Sequence, residues 1–258
     1  MNILEEIVSY ARERVAADKL RVPLDELKAA ISSSDGGKFV AALRRPELSF
    51  ICEIKKASPS KGIIAAEFPY VEIAKAYEAA GADCVSCLTE PKYFLGSDEI
   101  FCDVRKEISL PMLRKDFTVD EYQLYQAKVM GADAVLLICA ILDTATLEKF
   151  LGVCDELNLA ALVEAHDAQE IKAAVASGAE IIGVNNRNLK NFSVDFTNAA
   201  RLRELIPPEK IYVAESGVKT PADVATLKRI GADAVLIGET LMRVADKRAE
   251  LQRLRAAT

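Results

Sequence analysis

The sequence predicts an α/β protein of the (β/α)8 TIM-barrel class with an N-terminal helical extension. A short apolar run that begins with glycine occurs four times, a second set of apolar runs lies midway between these copies, and stretches of helical period separate them all. Strict alternation of strand and helix predicts parallel strands with right-handed crossovers. The recurrence of the glycine-initiated run at every second strand favours a closed barrel. An open doubly wound sheet is the alternative.

The glycine-initiated runs repeat roughly every 50 residues, which is the length of two βα units. They begin at Gly81, Gly131, Gly178 and Gly231. Glycine suits the left-handed residue that ends a helix, and the apolar residues after it suit a strand that is buried on both faces. Eight strands result when the intervening runs are added, which begin at Leu48, Leu110, Leu159 and Ile211.

Eight helices are predicted between and after these strands, because apolar residues recur there with helical period. Their ranges are 71–80, 98–108, 119–130, 144–158, 168–177, 196–206, 221–230 and 241–255. The barrel accordingly occupies residues 48–258, at about 26 residues for each βα unit.

The first 47 residues precede the predicted barrel. An amphipathic helix is predicted over 3–17, and a second helical piece over 24–31 follows Pro23. No Gly/Ser-rich linker lies directly before the barrel, where residues 38–47 read KFVAALRRPE. We therefore expect residues 1–258 to form a single domain in which the extension packs on the barrel and roofs one of its ends.

Composition and charge limit the classes of function. The 258 residues carry 33 Lys and Arg against 39 Asp and Glu, a net charge of −6, which argues against a nucleic-acid partner. Hydrophobic residues make up 51% of the chain, enough for a large core. Charges interrupt the N-terminus, so neither a signal peptide nor a membrane partner is expected. The six scattered cysteines are then expected to be reduced thiols in the cytoplasm.

Polar residues end the predicted strands, and in barrels of this class chemistry takes place at the carboxyl ends of the strands. Two lysines and three carboxylates confined there would shift one another's pKa values and suit acid–base catalysis near neutral pH. A structural ion pair is the alternative for any single one of these residues. The set consists of Glu53, Lys55, Lys115, Glu164, Asn185 and Glu215.

Small residues after the last two strands indicate a phosphate site. Ser216-Gly217 follows the seventh predicted strand and Gly238 follows the eighth, where barrels of this class commonly bind phosphate through backbone N–H groups. Other signals are weaker. Cys84 and Cys87 have the spacing of a metal or redox pair, but they lie on a buried strand and are better interpreted as core residues. The only histidine, His166, is expected in a loop or at the start of a helix.

These strand ends resemble the conserved blocks of the indole-3-glycerol phosphate synthase family. The segment FICEIKKASPSKG, residues 50–62, resembles the signature of that family. Further blocks follow in the family's order and extend the resemblance over essentially the whole chain: LTEPKYFLGS from Leu88, LPMLRKDF from Leu110, LVEAH from Leu162, GVNNRNL from Gly183, VAESGV from Val213 and LIGETLM from Leu236.

The resemblance implies closure of an indole ring on 1-(2-carboxyphenylamino)-1-deoxyribulose 5-phosphate, with loss of CO2 and water. It implies that Lys115 is the general acid of ring closure and that Glu164 is the acid–base residue of the second half. Lys55 would share proton transfer, Glu53 would orient the substrate and the lysines, and Asn185 would bind the substrate and hold Glu164. No metal or organic cofactor is expected.

The resemblance also implies a substrate-binding set. Its members are Ser58, Gly217, Gly238 and Glu239 for the phosphate, Arg187 for the carboxylate, Phe94, Phe117, Leu136 and Leu189 for the aromatic ring, and Glu215 and Ser216 for the hydroxyls. Family members commonly carry serine where Glu239 stands. Since a carboxylate would repel phosphate, we expect the Glu239 side chain to turn away and only its N–H to contribute.

Two alternatives differ from this enzyme in class. One is a phosphosugar-binding barrel without this chemistry, and the other is a barrel that catalyses a related isomerisation. A binding protein would need neither Lys115 nor Glu164, so the presence of both favours the lyase. The expected partner is a small phosphorylated substrate, and the expected assembly is a monomer or a weak homo-oligomer.

Overall fold

A computed structural model describes residues 2–31, 37–186 and 196–256. Eight of its strands are parallel and close into a barrel, and the remaining two form a small antiparallel hairpin. The strands are β1 (Ser49–Ile54), β2 (Ala57–Ser58), β3 (Gly62–Ile63), β4 (Cys84–Leu88), β5 (Met112–Lys115), β6 (Ala134–Ile138), β7 (Ala160–Ala165), β8 (Ile181–Asn185), β9 (Ile211–Glu215) and β10 (Ala234–Ile237).

The barrel is closed because β1 pairs with both β4 and β10, and the full order is β1-β10-β9-β8-β7-β6-β5-β4. This confirms the predicted TIM barrel. The helices are α1 (Ile3–Arg21), α2 (Leu24–Ala30), α3 (Gly37–Leu43), α4 (Tyr70–Ala80), α5 (Asp98–Glu107), α6 (Tyr122–Val129), α7 (Thr144–Glu156), α8 (Ala168–Ala176), α9 (Phe196–Arg203), α10 (Pro221–Arg229), α11 (Glu239–Arg243) and α12 (Lys247–Arg255).

The repeated glycines end helices, as the sequence predicts. Gly81, Gly131, Gly178 and Gly231 all have φ between 81° and 88°, a left-handed conformation in which other residues are strained. Each glycine is followed within a few residues by a strand whose residues are buried on both faces. The recurrence in sequence is therefore the recurrence of a helix end followed by a barrel strand.

The predicted helix over 241–255 is wrong in one respect, because two helices occupy this region. The first, α11, ends before Val244, which has extended backbone dihedral angles. The second, α12, begins after Asp246, whose side chain accepts a hydrogen bond from the backbone N–H of Ala249. An aspartate that caps a helix in this way competes with continuation of the preceding helix.

The N-terminal extension contacts both ends of the barrel, whereas the sequence predicted a roof at one end. On α1, Ile3 and Ile7 line the cavity at the carboxyl ends of the strands. On α3, which the sequence analysis missed, Phe39 and Leu43 are fully buried among interior residues from the beginnings of the strands. The hydroxyl of Ser49, at the start of β1, donates to the carbonyl of Ala42 and fixes α3 there.

Two further predictions concern the cysteines and the membrane. Cys84 and Cys87 are buried free thiols on β4, which confirms their interpretation as core residues. Burial raises the pKa of both thiols above the ordinary value, so they are protonated and unreactive at neutral pH. Within the described ranges, no helix is both long and apolar enough to cross a bilayer.

Candidate active site

A cavity of about 370 Å³ opens at the carboxyl ends of the barrel strands. This volume suits a small organic ligand. Every predicted site residue within the described ranges lines the cavity. The remaining two, Arg187 and Leu189, lie outside the described residues. The topology accounts for this gathering, because parallel strands of one barrel all end at the same face.

Lys115 ends β5 and lies among carboxylates. Its Nζ is 3.2 Å from Oε2 of Glu164 and 3.5 Å from Oε2 of Glu215, and its side chain is 14% exposed. Burial by itself would lower the pKa of Lys115, but the charges of Glu164, Glu215 and Glu53 outweigh burial and raise it. Lys115 is therefore a cation at neutral pH, with a proton held inside the cavity.

Glu164 and Glu215 form a coupled pair of carboxyl groups at the ends of β7 and β9. Burial would raise the pKa of Glu164, but Lys115 and His166 outweigh it and the pKa lies well below the ordinary value. The pKa of Glu215 is raised to about 8, first by burial and then by the negative charge of Glu164. The two groups share a hydrogen bond, for which Glu215 supplies the proton at neutral pH.

Glu53 and Lys55 form a second ion pair at the mouth of the barrel. Glu53 is buried on β1, and the Nζ of Lys55 donates to its Oε1. The two residues share parity along the strand, so their side chains point to the same face. Gly238, after β10, lies directly against this pair: a Cβ at this position would overlap the Glu53 carboxylate and approach Lys55 Nζ to 3.0 Å.

Replacing Gly238 by alanine is expected to displace the Glu53–Lys55 pair. For the ring closure that the family resemblance implies, with the roles that it gives Glu53 and Lys55, we expect kcat/KM to fall by about 10-fold to 10²-fold, because small misplacements of catalytic groups are costly. The matched control is Gly152→Ala, since Gly152 is an exposed residue of α7 where an added Cβ would meet no other atom within 4 Å. Steady-state kinetics of both variants checks the prediction, and equal kcat/KM values would contradict it.

The backbone after β9 adopts an uncommon conformation beside the cavity. Ser216 has φ of 65°, which is uncommon for a residue other than glycine, and Gly217 follows with φ of 96°. Ser58, on the hairpin strand β2, faces the same part of the cavity. Strained backbone of this kind often marks a binding loop. Ser58, Ser216 and Gly217 therefore line one cavity with the small residues that the sequence analysis assigned to phosphate.

Glu239 begins α11 and lies between two cations. Its Oε1 accepts from Nε of Arg243 at 3.0 Å and lies 3.9 Å from Nζ of Lys61. All three residues line the cavity. The carboxylate is thus neutralised by ion pairs at the rim rather than left bare beside the backbone N–H groups.

Part of the cavity is lined by apolar side chains rather than by charged groups. The rings of Phe94 and Phe117 have centroids 6.1 Å apart and an interplanar angle of 42°. Leu136 on β6 is buried, belongs to the core cluster against which Phe117 packs, and lines the same cavity. Apolar and aromatic side chains of this kind suit the binding of an aromatic ring, and the charged groups on β1, β5, β7 and β9 line the same cavity.

Some site residues were missed by the sequence analysis. His166 lies between β7 and α8, as the sequence predicted, but its contact with Glu164 at 3.3 Å was missed, although it follows Glu164 by only two residues. Lys61 and Arg243 lie at the rim. Arg14 of α1 forms an ion pair with Asp116 at 2.7 Å, which ties the extension to the segment after Lys115. No short-range pattern in the sequence predicts a contact between residues so far apart.

Comparison with known proteins relates the chain to one family. The sequence profile described as indole-3-glycerol phosphate synthase matches residues 4–254. An indole-3-glycerol phosphate synthase of Ruminiclostridium cellulolyticum is 54% identical over 258 residues, covering 99% of each chain. Another, of Lachnoclostridium phytofermentans, is 46% identical and covers 98% of this chain and 99% of the relative.

Solved structures show the same architecture at low sequence identity. The 3-hexulose-6-phosphate synthase from Salmonella typhimurium matches with a TM-score of 0.66 at 11% identity, over 81% of this chain and 98% of that one. At this level of identity the likeness concerns the fold alone, and it agrees with the closed barrel described above.

Proposed function

Since the chain belongs to the indole-3-glycerol phosphate synthase family, we propose that the cavity closes an indole ring with Lys115 as proton donor and Glu164 as acid–base residue. The chain is a carboxy-lyase of tryptophan biosynthesis. Its reaction converts 1-(2-carboxyphenylamino)-1-deoxyribulose 5-phosphate into indole-3-glycerol phosphate and releases CO2 and water. The position of Lys115 between Glu164 and Glu215 is the observation that supports the proposed roles most strongly.

Ring closure needs a cation at the ketone of the substrate. An aromatic carbon attacks the ketone carbon, and negative charge develops on the ketone oxygen. Lys115 is protonated, largely buried and aimed into the cavity, so it can polarise the oxygen and then protonate it. Glu53 and Lys55, paired on the neighbouring side of the mouth, orient the substrate and share in proton transfer.

The second half removes a hydroxyl as water and a proton from the new ring. Glu164 is an anion at neutral pH and shares a hydrogen bond with Glu215, so it can accept the proton that leaves the ring, while one of the two lysines, Lys55 or Lys115, supplies the proton with which the hydroxyl leaves as water. We propose that Asn185, which ends β8 and lines the cavity, binds the substrate and holds Glu164 in place. We propose that no metal or organic cofactor is needed, because ring closure turns the carbon next to the carboxylate into an electron sink.

The binding groups divide by chemistry. We propose that Ser58, Gly217, Gly238 and the backbone of Glu239 bind the phosphate, that Glu215 and Ser216 contact the hydroxyls, and that Phe94, Phe117 and Leu136 enclose the aromatic ring. The roles of Arg187, as anchor of the carboxylate, and of Leu189, as part of the apolar wall, are proposed from the family resemblance.

We also propose that residues 1–258 act as one domain, a monomer or weak homo-oligomer in the cytoplasm. Ile3 and Phe39 support the single domain, because the extension contributes both to the cavity and to the closed end of the barrel. The six free thiols fit a reducing compartment. Gel filtration with light scattering tests the assembly.

A direct assay tests the proposed function. The purified chain is mixed with the carboxyphenylamino-deoxyribulose phosphate, and formation of the indole is followed by fluorescence together with release of CO2. One CO2 for each indole formed is the expected result. Binding of the substrate without turnover would instead support a phosphosugar-binding barrel.

The phosphate assignment makes a prediction at Glu239. Replacing it by serine removes the negative charge at the rim and leaves Arg243 and Lys61 without this carboxylate. We expect KM to fall about three-fold with kcat almost unchanged, and the gain to shrink as salt is added, since exposed charges are screened. Kinetics of Glu239→Ser at low and high ionic strength checks this, and a rise in KM would contradict it.

A further inference from the structure

The single histidine of the chain lies against the carboxylate that we assign to acid–base catalysis. Lys115 contacts Oε2 of Glu164, while Nε2 of His166 lies 3.3 Å from the other oxygen, Oε1. Nδ1 of the same ring lies 3.1 Å from Oε2 of Glu170, in the first turn of α8. That oxygen also accepts the backbone N–H of His166 at 2.7 Å. The imidazole is therefore clamped between two carboxylates.

The clamp has a consequence for the protonation of the ring. A neutral imidazole carries one N–H and one lone pair, so one of its nitrogens would turn a lone pair toward a carboxylate oxygen. An imidazolium carries a proton on both nitrogens, so it donates from Nδ1 to Glu170 and turns the N–H of Nε2 toward Glu164, with which it forms an ion pair at 3.3 Å. Burial would lower the pKa of His166, but the two carboxylates outweigh burial and raise it to about 10.

The titratable groups around the ring are mainly acidic. Among the described residues they include Glu164 from β7, Glu170 from α8, Asp167, which caps α8, and the thiol of Cys139 after β6, while Lys115 from β5 contacts the other oxygen of Glu164. The pKa of Cys139 is raised to about 12, mainly by burial, so the thiol is uncharged at neutral pH. The side chain of His166 is 15% exposed, which limits screening by water.

We propose that His166 is a positioning residue for Glu164, and that Glu170 keeps it in the imidazolium form. The ring of His166 contacts Oε1 of Glu164, so that Oε2 of Glu164 faces Lys115 and the cavity. The inference rests on the proposed role of Glu164. It assigns to a histidine at the end of a strand, and to a glutamate in the following helix, a part in catalysis without contact with the substrate.

The sequence makes the protonation state directly measurable. Because the chain has one histidine, its ring signals in an NMR titration belong to His166 alone, provided that any purification tag is free of histidine. We expect a midpoint near 10 in the wild type. In Glu170→Gln the midpoint should fall by about 1–2 pH units, because one of the two carboxylates has lost its charge. Glu250→Gln, in the first turn of α12 and away from the cavity, is the matched control and should leave the midpoint unchanged.

Kinetics tests whether the clamp matters for turnover. We expect His166→Gln to lower kcat about ten-fold with little change in KM, and His166→Lys, which keeps a positive charge, to retain more of kcat than His166→Gln. In Glu170→Gln the alkaline decline of kcat should move toward neutral pH together with the NMR midpoint. Thermal unfolding identifies any variant that has failed to fold. If His166→Gln fails to fold, Glu170→Gln still tests the inference, because it retains His166.

Two outcomes would overturn the inference. One is an NMR midpoint near the ordinary value for histidine that Glu170→Gln does not move. The other is a folded His166→Gln variant with wild-type kcat and pH profile, while Glu164→Gln is impaired. Normal turnover in Glu164→Gln would be a different result, since it would remove the proposed role of Glu164 itself.

Discussion

Lys115→Ala is expected to lower kcat by about 10²-fold or more, the usual contribution of a well-placed general acid. The variant loses the cation that ring closure needs at the ketone oxygen. It also leaves the ionised carboxylate of Glu164 buried without the lysine that neutralises it. Initial rates of indole formation, followed by fluorescence, measure the effect. The control is Lys149→Ala, which removes an exposed lysine paired with Glu121.

The same substitution makes a prediction about stability. Without Lys115, burial and mutual repulsion raise the pKa values of the cavity carboxylates above their unfolded values. A group with a raised folded pKa loses stability as pH rises, so the loss relative to wild type should be larger at about pH 8 than at about pH 5. Thermal unfolding at both pH values checks the sign. Near-normal turnover in a folded Lys115→Ala variant would refute its role as the acid.

Glu164→Gln is expected to lower kcat by about 10²-fold to 10⁴-fold, the range for loss of a general acid–base group. Glutamine keeps the shape of the side chain and cannot accept the proton. Because Glu164 is proposed to act after decarboxylation, the first turnover should release CO2 faster than it forms indole. Rapid-quench measurement of CO2 against indole fluorescence tests this order of events.

The matched control for this variant is Glu180→Gln, which neutralises an exposed glutamate paired with Arg44. It should leave both signals unchanged. If CO2 and indole appear together and slowly in Glu164→Gln, the carboxylate acts at or before ring closure, and the assignment of Glu164 to the second half is wrong.

Much of the architecture can be predicted from short stretches of the sequence. The alternation of apolar runs with helical periods needs no tertiary contact to be recognised, and the glycines before the even-numbered strands mark helix ends by their conformational freedom. Errors arose where the local signal was short. The seven residues of α3 form a helix because Phe39 and Leu43 fill the closed end of the barrel. The break before α12 depends on a single capping aspartate.

The chain sequence by itself determined the barrel, the family and the end of the barrel at which the polar residues meet, because parallel strands share one direction and their last residues must share one face. Only the tertiary structure decided which of those residues are protonated at neutral pH. It lowered the pKa of Glu164 and raised that of Glu215, and it placed His166 between two carboxylates. The physical reason is that burial and charge–charge interactions act through distances in space, which a pattern of strand ends does not contain.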